Sequence, residues 1–178
     1  FLGTVEEKDE ELLINNDAVV VYNKPDLADL PWQDLEIDLV MECSGTFTSR
    51  KIAEQHLSSG AKKVLFSQPA ESDVDATLVY GINHEDLDPQ ATIISNASCT
   101  TNCIVPVLKT LDDALGIDSG VITTIHSAMN DQPVIDSYHN NDLRRTRSAM
   151  QSMIPVETKL AVGIERILPQ LTGLLQAR

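Results

Sequence analysis

Two side chains that can together attack a carbonyl carbon, a thiol and an imidazole, occur in patterns that favour such chemistry. Cys99 stands where the sequence predicts the start of a helix. Unpaired backbone N–H groups and the positive end of the helix dipole favour a thiolate at that place. His126 ends a predicted strand over 121–126 and offers a proton acceptor. A buried structural cysteine and a core histidine satisfied by a backbone carbonyl are the alternatives. Together the two residues predict nucleophilic thiol catalysis.

Hydroxyl groups flank the predicted nucleophile. Ser98 and Thr100 lie on either side of Cys99, where they can bind an oxyanion or a phosphate oxygen. Cys103, one turn further along the same helix, is interpreted as a buried and inert thiol.

A cationic cluster in the second half of the chain offers contacts for an anion. It consists of Arg144, Arg145 and Arg147. At least one guanidinium could grip a substrate phosphate with two hydrogen bonds, although a solvated, salt-bridged loop is the alternative. Thr158 and Lys159 could supply a further phosphate contact, or could form a capped turn.

The composition is that of a globular chain with a large acidic excess. The 178 residues are 42% hydrophobic and carry a formal net charge of −14. Residues 1–98 hold a net charge of −13 and residues 99–178 a net charge of −1. This acidity argues against a nucleic-acid backbone or an anionic membrane as the main partner. The longest apolar runs fall far short of the roughly 18 residues that a membrane-spanning helix needs.

The three cysteines and the first residues bear on the cellular compartment. Three thiols do not form a disulfide framework, and they lack a second pair of ligands at zinc spacing, so no metal site is expected. The first ten residues are acidic and do not resemble a signal peptide. A reducing, cytoplasmic location is therefore expected.

Strands and helices alternate in the predicted elements of the first half. A hairpin is predicted over 11–14 and 18–22, joined by an Asn-rich turn that tolerates positive φ. A helix is predicted over 48–59 with Gly60 as its left-handed cap. Strands are predicted over 37–42, 63–67, 78–81 and 92–95. This order predicts parallel pairing with right-handed crossovers, and hence an α/β fold.

The second half begins with the helix that carries the cysteine. Apolar spacing predicts that this helix ends at Gly116, and Pro106 should kink it or leave its first turns irregular. A strand is predicted over 120–127, followed by a long polar loop over 128–153 of the kind that usually has a function. The pattern over 161–168 predicts another strand, which Pro169 ends.

Four segments resemble the glyceraldehyde-3-phosphate dehydrogenase superfamily, and the likeness extends over essentially the whole chain. They are the cysteine signature S-N-A-S-C-T-T-N-C at 95–103, the turn E-C-S-G-T-F at 42–47, the segment T-T-I-H at 123–126 with N-D-Q at 130–132, and L-R-R-T-R at 143–147 with I-P at 154–155. The cysteine signature is highly specific.

Two departures from the glyceraldehyde enzymes resemble the erythrose-4-phosphate dehydrogenase branch. A-M at 128–129 stands in place of an aromatic residue and a phosphate-binding threonine, and V-E-T-K-L-A at 156–161 replaces the inorganic-phosphate loop. The resemblance therefore implies NAD-dependent oxidation of D-erythrose 4-phosphate to 4-phosphoerythronate, for pyridoxal 5'-phosphate synthesis. Water would resolve the acyl-enzyme. A phosphorylating glyceraldehyde-3-phosphate dehydrogenase is the alternative.

The resemblance also implies roles for individual residues. Cys99 would form a thiohemiacetal and then a thioester, with His126 as the base. The residues implied to line the substrate are Ser98, Thr100, Arg145, Thr158 and Lys159. The residues implied to lie near NAD are Ser44, Gly45 and Ser67.

The resemblance further implies a domain organisation and partners. Residues 1–96 would form the second part of a Rossmann-type NAD-binding domain whose glycine-rich first βαβ unit precedes Phe1. Residues 97–178 would form the first part of an α+β catalytic domain. A homotetramer is expected, with the 128–153 loop near a neighbour's cofactor site, and the isolated chain should be inactive or nearly so. Two other classes remain open: a catalytically silent binding or assembly protein on this fold, and a Cys–His acyl hydrolase that uses no nucleotide.

Overall fold

Three sheets and three α-helices make up the described part of the chain. The structure, a computed structural model, describes residues 3–8, 11–129, 132–138 and 142–178. The elements in chain order are β1 (Val5–Lys8), β2 (Glu11–Ile14), β3 (Asp17–Val19), β4 (Leu39–Glu42), α1 (Arg50–Ser58), β5 (Lys63–Phe66), β6 (Ala76–Thr77), β7 (Ile93–Ser95), α2 (Cys99–Leu115), β8 (Gly120–Ile122), α3 (Leu160–Ile167) and β9 (Leu175–Ala177). Among these residues, no helix combines the length and apolarity that crossing a bilayer requires.

The predicted hairpin is present and forms part of a small antiparallel sheet. Its strands β2 and β3 pair with each other, and β1 pairs with the other edge of β2. Asn15 and Asn16 adopt φ values of +52° and +71°, as the Asn-rich turn predicted. The second hairpin strand ends at Val19, three residues before the predicted end.

A four-stranded parallel sheet forms the centre of the first half. The strand order is β4-β5-β7-β6, and all neighbouring pairs are parallel, which confirms the predicted pairing. Ala53 of α1 packs with Val64, Phe66 and Ile93 of the sheet. Gly60 ends the helix at φ +108°, where a Cβ atom would lie 2.4 Å from the Cβ of Gln33.

The prediction of a strand over 78–81 is wrong. The strand β6 lies earlier, at Ala76–Thr77, and the chain turns directly after it. The Asn83 side chain explains the turn, because its Oδ1 accepts a hydrogen bond from Val79 N at 2.8 Å and its Nδ2 donates to Thr77 O at 3.0 Å. These side-chain bonds replace the strand ladder that the apolar run suggested.

The second half contains two further corrections. The segment predicted as a strand over 161–168 belongs to the helix α3, which runs from Leu160 to Ile167, because Leu160, Ile164 and Ile167 fall on one helical face and pack against Val105 of α2. The strand β8 ends at Ile122, five residues before the predicted end, because its parallel partner β9 pairs with only three residues. The helix α2 runs without interruption from Cys99 to Leu115 despite Pro106.

The sheet and α2 are joined by a tight, hydrogen-bonded connection. Ser95 ends β7, and its buried Oγ accepts a hydrogen bond from Ala97 N at 3.1 Å while donating to Gln68 O at 2.9 Å. Arg166 of α3 reaches across and donates from Nη1 to Ala70 O at 2.9 Å. The start of α2 is thereby fixed beside the carboxyl edge of the parallel sheet.

Candidate active site

The first turn of α2 is organised by a serine cap. Ser98 is the N-cap residue, and its Oγ accepts a hydrogen bond from Thr101 N at 3.0 Å. The same oxygen lies 2.7 Å from Thr101 Oγ1 and 3.0 Å from Thr100 Oγ1. The cap satisfies one of the unpaired amides and fixes the position of Cys99, the first residue of the helix.

Cys99 and His126 are in direct contact. The Cys99 Sγ lies 3.5 Å from His126 Nε2, and both residues are exposed to solvent. The other ring nitrogen, Nδ1, lies 2.7 Å from the carbonyl oxygen of Ser127. In the neutral ring Nδ1 therefore carries the proton and donates it to Ser127 O, which leaves Nε2 free to accept a proton from the thiol.

The surroundings of His126 favour its charged form. The Ser127 carbonyl, and after it the Cys99 side chain, raise the pKa of His126 above its ordinary value of about 6.5. An imidazole that holds a proton more firmly can accept the proton that the thiol releases. The pair thus has the arrangement of a nucleophile beside its base.

The histidine lies beyond β8, in an extended segment, and not at the end of a strand as predicted. Thr124 N donates to Arg178 O at 2.9 Å, and Arg178 Nε donates to Thr123 Oγ1 at 3.2 Å. These bonds hold the segment that carries His126 after the ladder with β9 has ended.

Two neighbouring cavities adjoin the pair. The thiol cavity, of about 710 Å³, is lined by Cys99 and His126 together with residues of the arginine segment and of 154–158. The second cavity, of about 700 Å³, lies between the sheet loops, the start of α2 and α3. Four residues line both cavities: Thr100, Met129, Glu157 and Thr158.

Most of the predicted substrate residues border these cavities. Thr100 and Thr158 line both, and Ser98 and Lys159 line the second cavity. Thr158 also accepts a hydrogen bond at Oγ1 from Leu160 N at 3.1 Å, as the capped-turn alternative predicts.

In the arginine cluster, Arg144 and not Arg145 lines the thiol cavity. Arg144 Nη2 lies 2.9 Å from Asp142 Oδ2 and 3.2 Å from Glu157 Oε1. Arg144 therefore fits the alternative interpretation of the cluster, a solvated and salt-bridged loop. Arg147 lies 3.4 Å from Asp136 and is also paired.

The three predicted cofactor residues lie at the carboxyl ends of β4 and β5. Gly45 has φ +72°, and no atom lies within 4 Å of the position that a Cβ would take. Ser44 Oγ accepts a hydrogen bond from Thr46 N, and Ser67 Oγ donates to Gln68 Oε1. Ligands of open parallel sheets bind at this edge, and its open, polar turn fits a dinucleotide.

Several residues were missed or misjudged from the sequence. Glu157 and Met129 border both cavities, although the sequence marked them only as departures from a familiar pattern. Cys103 is exposed, which contradicts its predicted burial. The motif residues Asn130 and Asp131 lie outside the described residues.

A thiol nucleophile with an adjacent imidazole, at a helix start beside the carboxyl edge of a parallel sheet, defines a class of α/β enzymes that form covalent intermediates on cysteine. The comparison with protein families is consistent with this class. Residues 1–50 match the NAD binding domain of glyceraldehyde 3-phosphate dehydrogenase, and residues 98–178 match the C-terminal domain.

The chain belongs to the glyceraldehyde-3-phosphate dehydrogenase family. The predicted fold class, a Rossmann-type NAD-binding domain with an α+β catalytic domain, is confirmed, and NAD is the cofactor of this family's first domain. The family is one of NAD-dependent oxidoreductases.

Substitution of Arg145 tests the predicted phosphate contact. The resemblance implies the contact at Arg145, although Arg144 is the arginine that lines the thiol cavity. If Arg145 makes the contact, Arg145→Ala should raise the KM for phosphorylated aldehydes about tenfold to hundredfold, the usual effect of losing hydrogen bonds to a charged group. The KM for unphosphorylated aldehydes should change far less. Steady-state kinetics with both substrates measures the difference, and Arg147→Ala provides the matched control. A selective effect in Arg144→Ala alone would move the contact to the neighbouring arginine.

Proposed function

We propose that this protein oxidises D-erythrose 4-phosphate to 4-phosphoerythronate, with NAD as the oxidant and water as the resolving nucleophile. The proposed setting is cytoplasmic pyridoxal 5'-phosphate synthesis. The observation that carries the proposal is the 3.5 Å contact between Cys99 Sγ and His126 Nε2 at the start of α2.

The chemistry follows from the positions of these two groups. The Cys99 sulfur attacks the aldehyde carbon, and His126 Nε2 holds the proton that the thiol gives up. The resulting oxyanion takes this proton to form the hydroxyl of the thiohemiacetal. NAD, when bound, supplies the hydride acceptor. His126 removes the hydroxyl proton as the hydride leaves, and a thioester remains on Cys99.

The choice of water over inorganic phosphate is supported by Glu157. Glu157 borders both cavities, and it lies in the segment that stands in place of the inorganic-phosphate loop of the glyceraldehyde enzymes. Arg144 Nη2, 3.2 Å from Glu157 Oε1, offsets part of the negative charge of Glu157, but the carboxylate still makes the loop less favourable for a phosphate dianion than for a neutral water molecule. His126 is placed to accept a proton from that water, so that hydrolysis frees Cys99.

The choice of erythrose 4-phosphate as the substrate rests on the other departure from the glyceraldehyde enzymes, at Met129. Met129 borders both cavities where the glyceraldehyde enzymes carry a phosphate-binding threonine. A thioether removes a hydroxyl donor and leaves a flexible apolar surface. This change favours a different placement of the substrate phosphate, as a longer aldehyde requires.

The domain division and the assembly are part of the same proposal. We place the domain junction between residues 96 and 97, in the connection from β7 to α2. The 128–153 loop exposes apolar side chains, among them Val134, Ile135 and Tyr138. Their exposure favours a homotetramer in which this loop contacts a neighbouring subunit.

An assay with and without inorganic phosphate tests the proposal. The full-length protein should reduce NAD with erythrose 4-phosphate at a rate that does not depend on phosphate, and the product should be 4-phosphoerythronate. Glyceraldehyde 3-phosphate is the comparison substrate. A turnover that requires phosphate and yields an acyl phosphate would identify the phosphorylating alternative. Thioester cleavage without NAD would instead identify an acyl hydrolase.

A further inference from the structure

A buried carboxylate holds the turn that carries Ser44 and Gly45, two of the residues predicted to lie near NAD. Glu42 ends β4 and is 7% exposed. Its Oε1 accepts a hydrogen bond from Ser44 N at 2.7 Å, and its backbone carbonyl accepts one from Ser67 N at 3.0 Å. The side chain of Glu42 therefore holds the backbone after β4, whereas its main-chain carbonyl only continues the pairing with β5.

A buried histidine lies beside the other carboxylate oxygen of Glu42, at a distance longer than a hydrogen bond. His56 of α1 is 3% exposed, and its Nε2 lies 3.7 Å from Glu42 Oε2. Trp32 Nε1 donates a hydrogen bond to His56 Nδ1 at 3.0 Å.

These contacts define the protonation state of the imidazole. Because Nδ1 accepts a hydrogen bond from Trp32, the neutral ring carries its proton on Nε2, towards the carboxylate. Burial lowers the pKa of His56, and the Glu42 carboxylate opposes this effect. A second proton, on Nδ1, would face the N–H of Trp32 and break that hydrogen bond.

The turn after β4 needs such an anchor. Gly45 adopts φ +72° with open space around it, so the turn has little steric restraint of its own. A hydrogen bond from an amide to a carboxylate is stronger than one to a neutral acceptor, and burial shields it from competing water.

We propose that the Glu42 side chain, with His56 beside it, is a positioning residue for the cofactor: its carboxylate holds the turn at Ser44 and Gly45 in the arrangement that receives NAD. The inference rests on NAD as the cofactor. Its readouts need no aldehyde, so a failure of the substrate assignment leaves its test unaffected.

NADH binding to the full-length protein tests this role. Glu42→Gln keeps the size of the side chain but replaces one carboxylate oxygen with an NH₂ group. We expect it to weaken NADH binding about tenfold, because the neutral amide oxygen can still accept from Ser44 N but makes a weaker hydrogen bond than the carboxylate does. In turnover assays the effect should fall on the KM for NAD and leave kcat nearly unchanged. Glu54→Gln, on the exposed face of α1, is the matched control and should bind NADH normally.

The aspartate variant separates the turn contact from the histidine contact. Glu42→Asp keeps the charge and can still accept from the amide two residues on, so NADH affinity should stay within about threefold of wild type. Normal affinity in a folded Glu42→Gln protein would overturn the proposal, as would a tenfold loss in Glu42→Asp. If the glutamine variant does not fold, the aspartate variant decides alone by the same criterion.

Trp32 gives a readout that is independent of the cofactor. It is the single tryptophan among these 178 residues, and subtracting the fluorescence of a Trp32→Phe variant isolates the Trp32 signal in the full-length protein. Protonation of His56 should quench its fluorescence as the pH falls below about 6.5. In Glu42→Gln this transition should move to lower pH, since the anion that favours the charged imidazole is gone. An unchanged transition would mean that Glu42 does not act on His56, and would overturn the proposed arrangement.

Discussion

Replacement of Cys99 by alanine is expected to abolish aldehyde oxidation, with a loss on the order of 10⁴-fold or more. Alanine has no nucleophile, so neither the thiohemiacetal nor the thioester can form. The methyl group preserves helix propensity, and the Ser98 cap does not involve the sulfur, so α2 should remain folded. Initial rates of NAD reduction with erythrose 4-phosphate measure the effect, and circular dichroism checks the fold.

Cys103 provides a control of the same chemistry. It lies one turn along α2, is exposed like Cys99, and lines neither cavity. Cys103→Ser should therefore retain activity within about twofold, as is usual for surface substitutions. A large loss in Cys103→Ser together with an active Cys99→Ala would show that Cys103, and not Cys99, is the nucleophile. Mass spectrometry of the enzyme quenched during turnover should find the acyl group on Cys99.

The start of α2 illustrates what local patterns can predict. A serine before an apolar run of helical spacing is a cap signal, and the structure has the cap at Ser98 and the helix from Cys99. The Asn-rich turn was predictable for the same reason, because a short polar residue that tolerates positive φ specifies a turn without help from the rest of the fold.

The helix α3 illustrates what local patterns leave undecided. The run A-V-G-I-E-R-I-L over 161–168 contains β-branched residues, and apart from Thr158 just before it nothing marks a helix start, so it fits either element. The choice is made by tertiary packing, because Ile164 and Ile167 meet the apolar face of α2 only when the segment is helical. Tertiary contacts commonly override propensity in this way.

The geometry of the site could not be predicted from any short sequence pattern, because it depends on contacts between remote parts of the chain. The distance between Cys99 and His126 depends on how the extended segment after β8 is held by Arg178, which is remote in sequence. The choice between Arg144 and Arg145 is similar. The two lie in a 3₁₀ turn, where adjacent side chains point about 120° apart, so their order in sequence does not say which one faces the cavity.

Replacement of His126 by asparagine is expected to lower the rate of oxidation by about 10²–10⁴-fold, the usual contribution of a positioned general base. Asparagine retains a polar side chain of similar reach but cannot take a proton. The loss should appear in kcat, because the proton must leave the hydroxyl as the hydride leaves. Single-turnover kinetics, which exclude product release, measure this step. His84→Asn is the control, since His84 lies in a surface turn and lines neither cavity.

The pH dependence separates a base from a merely structural histidine. The neutral form of His126 accepts the proton, so the wild-type rate should fall as the pH decreases through the pKa of His126. The Ser127 carbonyl and the Cys99 side chain raise that pKa, which places the transition above about 6.5. His126→Asn should lose this transition. A variant that keeps the same profile, or that loses less than about tenfold in rate, would show that the proton is taken by another group.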